Sequence, residues 1–210
     1  MPKNKKIKAV LFDLDGVLVD SLNAWFYVTN DTLKHFGFRP VPKKEFERDF
    51  GAPIEYEVKK RFAGKTINEV ALEYNLNFKK RKHLVKLFSH SVEVLKELKK
   101  QKIKLALISN STRFIVMTVL NHYKIRRYFD AVITMNDAKR RKPAPDMVLK
   151  ACKMLKIAPE NAMLIGDTIN DMLAAKRAGC IAVGYKTKGD LRINGLKQVM
   201  YIENFVKFAF

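Results

Sequence analysis

The sequence predicts an α/β fold, a doubly wound parallel sheet with a small inserted helical segment. Three observations lead to this prediction. Short apolar runs recur along the chain and end in polar residues, and unbroken runs of this kind are typical of strands buried on both faces. Helical patterns lie between most of the runs, which favours parallel strands joined by helices. One long stretch after the first run contains helical patterns and no strand-like run.

The predicted strands form a Rossmann-like core. The first is the run KAVLFDLD, residues 8–15, which is apolar until it reaches two aspartates. The remaining runs resemble it, although the last is weaker, and lie at residues 104–111, 130–134, 162–168, 180–185 and 199–202.

Helical patterns separate these runs, at residues 91–101, 112–123, 145–155 and 169–178. In the first of them, Val92, Leu95 and Leu98 share one face, and Ser91 is placed to cap its start. Pro145 suits the first turn of the third helix, and Gly179 suits the end of the fourth. The alternation of strands and helices therefore extends through most of the chain.

Residues 21–88 interrupt this alternation. A long helical pattern at residues 21–36 is closed by Gly37, and the sequence after it favours helices or turns. We therefore predict a core of residues 1–20 and 89–210, with residues 21–88 inserted as a helical cap after the first strand.

Composition limits the functions that need to be considered. The 210 residues can hold one core-sized domain and a small insert, and 48% hydrophobic residues exclude global disorder. The 41 Lys and Arg against 21 Asp and Glu leave a formal charge of +20. Aromatic residues are not interleaved with the basic clusters as in a base-stacking platform. We expect most of this charge to lie on solvated helix faces and do not expect a nucleic-acid partner.

The sequence also indicates a compartment. Cys152 and Cys180 lie in apolar surroundings, which predicts buried free thiols in a reducing environment. The first apolar run is interrupted by Asp13, too early for the apolar region of a signal peptide. No run approaches the roughly 20 apolar residues that a membrane span needs. These features predict a cytoplasmic location and no membrane partner.

Polar side chains follow several of the predicted strands at the point where each strand ends. In an open α/β sheet, ligands bind outside the carboxyl ends of the strands, so these side chains are expected to share one site. Lys142 lies in a loop that can reach the same edge, and Asp171 can face the same point as Asp167 from a helix that begins near Thr168. The predicted site contains Asp13, Asp15, Ser109, Asn110, Lys142, Asp167 and Asp171.

These residue types indicate phosphate chemistry. Four crowded carboxylates repel one another unless a cation lies among them, and oxygen ligands without His or Cys favour Mg²⁺. One carboxylate can then attack a phosphate as a nucleophile, and a second can act as general acid and base. Ser109, Asn110 and Lys142 would hold the remaining phosphate oxygens.

The motifs DLDGVLVD, a strand ending in SN, KPAPD and GDTIND, in this order, resemble the four motifs of the haloacid-dehalogenase-like hydrolase superfamily. The resemblance covers nearly the whole chain. It implies that Asp13 is the nucleophile and Asp15 the general acid/base, with Ser109 and Lys142 binding phosphate. It also implies a metal held by Asp13, the backbone carbonyl of Asp15, Asp167 and Asp171. The insert resembles the cap of the phosphoglycolate phosphatase and β-phosphoglucomutase branch.

Simpler interpretations remain open for several residues. We favour a helix-capping role for Asp20 and Ser21, and Thr168 can be explained in the same way. The aromatic residues of the first helix in the insert, Trp25 among them, are expected to form the core of the cap. Gly51 matches the substrate-facing cap loop of the resembling branch, but a plain turn explains it equally well.

The favoured function is a Mg²⁺-dependent phosphatase acting on a small phosphorylated metabolite. Mutases of the branch carry an arginine shortly after the cap-loop glycine, whereas Gly51 is followed by Ala-Pro-Ile-Glu. A mutase or a pyrophosphatase is the alternative within the family. From another class, the chain could be a basic nucleic-acid-binding module or a phosphatase of nucleic-acid ends.

Overall fold

A computed structural model describes residues 7–89 and 91–185, together with the backbone of residues 197–199. Within these residues, one parallel sheet of six strands forms the centre of the protein. Its strands are β1 (Ala9–Phe12), β4 (Lys104–Ile108), β5 (Ala131–Ile133), β6 (Ala162–Gly166), β7 (Ile181–Tyr185) and β8 (Lys197–Val199). They lie side by side in the order β5-β4-β1-β6-β7-β8, which confirms the predicted doubly wound sheet.

The last strand differs from its prediction. The weak apolar run at residues 199–202 predicted it, but β8 begins at Lys197 and pairs in parallel with β7. Residues 200–202 lie outside the described part of the chain.

Helices cover both faces of the sheet. They are α5 (Ser91–Lys100), α6 (Arg113–His122), α7 (Asp146–Leu155) and α8 (Ile169–Ala178). Successive residues of β1 point to opposite faces, so Val10 and Phe12 join one hydrophobic cluster, while Ala9 and Leu11 join another. Burial on both faces explains why the run is apolar without alternation.

Some of the helix ends agree with the predictions made from the sequence, and one does not. Gly179 ends α8 with φ of 79°, a left-handed conformation that glycine adopts without steric cost. Pro145 directly precedes α7. Ser91 acts differently from its predicted capping role, because its hydroxyl donates to the carbonyl of Leu18 at 3.0 Å. That bond joins the start of α5 to the segment that follows β1.

The segment predicted as the helical insert, residues 21–88, contains α1 (Leu22–His35), α2 (Lys43–Asp49), α3 (Ile54–Arg61) and α4 (Ile67–Arg81). It also contains β3 (Lys86–Leu87), which pairs antiparallel with β2 (Val19–Asp20). The expectation that this segment contains no strand was therefore wrong. A two-residue strand is too short to show any periodicity, and its pairing depends on the two ends of the insert meeting.

The cysteines agree with the sequence prediction. Cys152 and Cys180 are free and buried, and their sulfur atoms lie 3.9 Å apart. Among the described residues, the helices are all too short or too polar to span a membrane.

Candidate active site

The end of β1 places two aspartates at the edge of the sheet. The backbone N–H of Asp13 still bonds to Ile165 of β6 at 2.9 Å, so the ladder continues up to this residue. The chain then turns at Gly16, whose φ is +78°. A Cβ atom at this position would lie 1.9 Å from Oδ2 of Asp167. Glycine at position 16 therefore lets the turn lie directly against the acid that follows β6.

Three carboxylates meet at this edge. Asp13, Asp167 and Asp171 each offer an oxygen, and these atoms lie within 4.8 Å of one another. Asp171 is held by Thr168, whose hydroxyl and backbone N–H donate to its Oδ2 at 2.6 and 3.2 Å. Thr168 therefore takes the predicted capping position at α8 and also orients an acid of the cluster.

Lys142 lies inside the acid cluster. Its Nζ is 2.9 Å from Oδ1 of Asp13 and 2.5 Å from Oδ1 of Asp171, and it donates to the carbonyl of Ile108 at 3.1 Å. Only 3% of Lys142 is exposed. Burial alone would lower the pKa of Lys142, but the charges of Asp13 and Asp171 outweigh it and raise that pKa. The lysine therefore remains a cation at the centre of the cluster.

Burial raises the pKa of two of the acids, whereas by itself it would lower that of the lysine. It raises the pKa of Asp13 to about 7, with Lys142 opposing the change and the charges of Asp171 and Asp15 adding to it. It raises the pKa of Asp167 to about 9, and the neighbouring charges of Asp13 and Asp171 add to this effect. One buried ammonium therefore does not compensate for two buried carboxylates and a third that is partly buried.

The donor set suits a divalent cation. Oδ1 of Asp167 is buried and has no hydrogen-bond partner among the described residues. A buried carboxylate oxygen without a partner is costly, and a metal ion would satisfy it. The cluster offers only oxygen ligands, which match a hard ion such as Mg²⁺. The residues present therefore fit the predicted ion.

Asp15 lies apart from this cluster. Its Oδ1 accepts hydrogen bonds from the hydroxyl of Ser21 at 2.5 Å and from the indole N–H of Trp25 at 3.0 Å. Its Oδ2 accepts a hydrogen bond from the hydroxyl of Ser111 at 3.2 Å. Two aspartates that are two positions apart therefore have entirely different surroundings.

The residues that follow β4 form hydrogen bonds that stabilise the loops of the site. The hydroxyl of Ser109 accepts a hydrogen bond from the backbone N–H of Ser111 at 3.1 Å. The side chain of Asn110 pairs with the backbone of Lys142 in both directions, with both bonds at 3.0 Å. Asn110 thus holds the loop that carries the lysine, and its predicted contact with phosphate stays a prediction.

The insert contacts the core at Gly51, between α2 and α3. Gly51 has φ of +84°, and a Cβ atom there would lie 2.6 Å from Cγ2 of Thr168. The carbonyl of Gly51 accepts the side-chain N–H of Asn170 at 3.2 Å. Gly51 is therefore a turn glycine that also packs against the residue holding Asp171.

A pocket lies between the core and the insert, with a cavity of about 90 Å³. The core contributes predicted site residues from three loops, and the insert contributes aromatic and acidic side chains. The residues that line the pocket include Asp13, Asp15, Trp25, Gly51, Tyr74, Ser109, Asn110, Ser111 and Lys142.

Sequence reasoning missed the partners of Asp15. Ser21 occupies the N-cap position of α1 but makes no side-chain capping bond, so the favoured capping role was wrong for this residue. Trp25 packs inside the insert as expected, with its ring 5.6 Å from Tyr74 and 5.7 Å from Phe78, yet its N–H reaches the site. Only the polar atom of the indole could have indicated this, since a buried Trp N–H usually finds a partner.

A doubly wound sheet with a helical insert after its first strand and an acid cluster at its edge defines a class of proteins. That class is the haloacid dehalogenase-like hydrolases, whose family model matches residues 10–185. The chain belongs to this family and lies in its phosphoglycolate phosphatase-like branch.

Individual proteins show the same relationship. The chain is 33% identical over 189 residues to phosphoglycolate phosphatase 1 of Pseudomonas aeruginosa, covering 85% of this chain and 70% of that protein. It is 31% identical over 182 residues to pyrophosphatase PpaX of Bacillus velezensis, covering 86% and 84%. A HAD-superfamily hydrolase, subfamily IA, variant 1, from Geobacter sulfurreducens superposes with a TM-score of 0.74 at 23% identity, covering 96% and 99%. That last likeness concerns the fold alone.

Proposed function

We propose that this protein is a Mg²⁺-dependent phosphatase that hydrolyses a small phosphomonoester. The observation that carries the proposal is the cluster of Asp13, Asp167, Asp171 and Lys142 beside a pocket that Asp15 also lines. In a purely structural ion-pair network, a buried carboxylate oxygen is expected to have a partner. Oδ1 of Asp167 has none among the described residues, and a metal-assisted phosphatase would use such an oxygen to bind its metal ion. The names of the related proteins, a phosphoglycolate phosphatase and a pyrophosphatase, support the same reaction class.

Asp13 is the proposed nucleophile. Its Oδ1 is held by the backbone N–H of Leu14 at 2.8 Å and by Lys142 at 2.9 Å, which orients the carboxylate. Attack on phosphorus would form an aspartyl phosphate and break the bond to the leaving oxygen. Asp15 would protonate that oxygen and later take a proton from the water that cleaves the intermediate.

Asp13, Asp167 and Asp171 would hold the Mg²⁺ ion, together with the backbone carbonyl of Asp15 that the family resemblance implies. Bound there, the ion would neutralise part of the phosphate charge so that a carboxylate can approach an anionic substrate. Ser109 and Lys142 would bind the remaining phosphate oxygens, and the close approach of Lys142 to Asp13 supports this role for the lysine.

The helical insert is the proposed cap. It lines one side of the pocket and meets the core at Gly51, so it can exclude bulk water and select substrates. The division into a core of residues 1–20 and 89–210 and a cap of residues 21–88 stays a prediction, as does a cytoplasmic location.

A pyrophosphatase is the second candidate. The observation that favours it is the 31% identity to pyrophosphatase PpaX. Mutase chemistry lacks such support, because the residues after Gly51 do not include the arginine expected for a second phosphate.

Hydrolysis of 4-nitrophenyl phosphate tests the proposal. We expect activity with Mg²⁺ and none in excess EDTA, and Asp13→Asn should retain the fold while losing at least about a thousandfold in kcat. Mg²⁺ should raise the melting temperature of the wild type, and this shift should disappear in Asp167→Asn. Full activity in EDTA would contradict the metal assignment, and more than about a tenth of wild-type activity in Asp13→Asn would contradict the covalent mechanism.

A further inference from the structure

The two carboxylate oxygens of Asp15 differ in the number and length of the hydrogen bonds that they accept. Oδ1 accepts two hydrogen bonds, at 2.5 Å from Ser21 and 3.0 Å from Trp25. Oδ2 accepts a single longer bond, at 3.2 Å from Ser111. Since two donors hold Oδ1 and one longer bond reaches Oδ2, Oδ2 is the less restrained oxygen and the one better able to exchange a proton with a substrate.

The donors also come from different parts of the molecule. Ser111 follows β4 of the core, whereas Trp25 lies on α1 of the insert. The indole ring is fixed by α4, through contacts with Tyr74 and Phe78. The packing of the insert therefore determines where the indole N–H points.

We propose that Trp25 is a positioning residue for Asp15, and that the insert orients the proton-transferring carboxylate through the indole N–H. This inference rests on the proposed function. With Oδ1 held by Ser21 and Trp25, Oδ2 faces the reaction. In the first half-reaction the proton on Oδ2 moves to the leaving oxygen as its bond to phosphorus breaks and the bond from Asp13 forms. In the second, water gives a proton to Oδ2 and attacks phosphorus, which releases phosphate and frees Asp13.

Trp25→Phe tests the donor while keeping an aromatic ring between Tyr74 and Phe78. Phenyl phosphate and 4-nitrophenyl phosphate have nearly the same shape, but the nitro group stabilises the departing phenolate, which then needs little protonation. Since kcat/KM reports the first half-reaction, Trp25→Phe should lower it for phenyl phosphate by about tenfold or more and change it far less for 4-nitrophenyl phosphate.

Phe78→Leu tests the packing that aims the N–H. It keeps the donor but loosens its placement, so it should also lower kcat/KM for phenyl phosphate more than for 4-nitrophenyl phosphate, by a smaller margin than Trp25→Phe does. Equal losses for both substrates in Trp25→Phe would give Trp25 a purely structural role and overturn the inference.

A second measurement is independent of turnover. Trp25 is the single tryptophan of the sequence, so ¹⁵N-labelled protein gives one indole N–H resonance. Removing the acceptor in Asp15→Ala should shift this resonance strongly, whereas Asp20→Ala, close by in sequence, should leave it nearly unchanged. An unshifted resonance in Asp15→Ala would overturn the inference. Wild-type protein inactive on both phosphates would instead overturn the proposed function, while the resonance still reported whether Trp25 contacts Asp15.

Discussion

At the scale of single residues, Asp13 and Asp15 show how neighbouring carboxylates can be given different tasks. Asp13 is 7% exposed and lies among two other acids and a lysine. Asp15 accepts hydrogen bonds from two hydroxyls and an indole. A nucleophile needs a cation to reach an anionic phosphate, whereas a proton carrier needs a fixed orientation, and these surroundings suit the roles proposed for Asp13 and Asp15.

Gly51 offers a prediction at the same scale. Gly51→Ala introduces a Cβ in the left-handed region, which costs roughly 1–2 kcal/mol, and this atom also meets Thr168. Because Thr168 holds Asp171, we expect kcat/KM for 4-nitrophenyl phosphate to fall by at least about tenfold.

Gly64→Ala provides the control for this change. Gly64 has φ of +75°, but a Cβ atom added there would have no atom of the described residues within 4 Å. The variant should lose similar stability in urea denaturation and keep its activity. If the two variants have the same activity, the contact between Gly51 and Thr168 does not matter to the reaction.

At the scale of elements, one aspartate stabilises the end of β5. The carboxylate of Asp137 accepts hydrogen bonds from the backbone N–H and the hydroxyl of Thr134, at 2.8 and 2.7 Å. It also forms a salt bridge with Arg113 of α6. Burial raises the pKa of Asp137, but the bonds from Thr134 and Arg113 outweigh it and hold the pKa below its ordinary value. Asp137 therefore ties the end of a strand to the start of a helix.

This arrangement predicts a pH dependence of stability. A carboxylate whose folded pKa is lowered contributes stability above its unfolded pKa, near 4, and loses that contribution as the pH falls through the folded value. Asp137→Asn should therefore lower the free energy of unfolding by about 1–2 kcal/mol at pH 7, and by less near pH 3. Urea denaturation at the two pH values measures the difference.

Asp146→Asn is a useful comparison, since Asp146 pairs with Arg140, whose side chain is 70% exposed. An exposed pair of this kind is worth less than about 1 kcal/mol, so the loss at pH 7 should be smaller. An Asp137→Asn deficit that does not change with pH would contradict the role given to its charge.

At the scale of the whole molecule, the formal charge of +20 should influence how a substrate arrives. A positive surface attracts phosphate esters, and salt screens this attraction over a Debye length of about 10 Å at 0.1 M. We expect kcat/KM for 4-nitrophenyl phosphate to fall severalfold between about 20 and 300 mM NaCl, with kcat nearly constant. Sucrose at matched viscosity controls for diffusion, and a kcat/KM that does not respond to salt would contradict the expectation.

The sheet, its flanking helices and the edge at which the polar residues gather could all be predicted from the amino-acid sequence. These features follow from local rules: unbroken apolar runs at the core strands, helical spacing between them, and acids or amides directly after the strands. Asp13, Asp167, Asp171 and Lys142 could be predicted together because parallel strands end at one edge.

The residues that reach Asp15 and the contacts between the insert and the core could not be predicted and are known from the folded molecule. Ser111 lies 96 positions from Asp15, and Gly51 lies 119 positions from the Asn170 side chain that it binds. The pairing of β2 with β3 likewise requires the two ends of the insert to meet. Such contacts depend on how two separately patterned units pack, and no local periodicity records that packing.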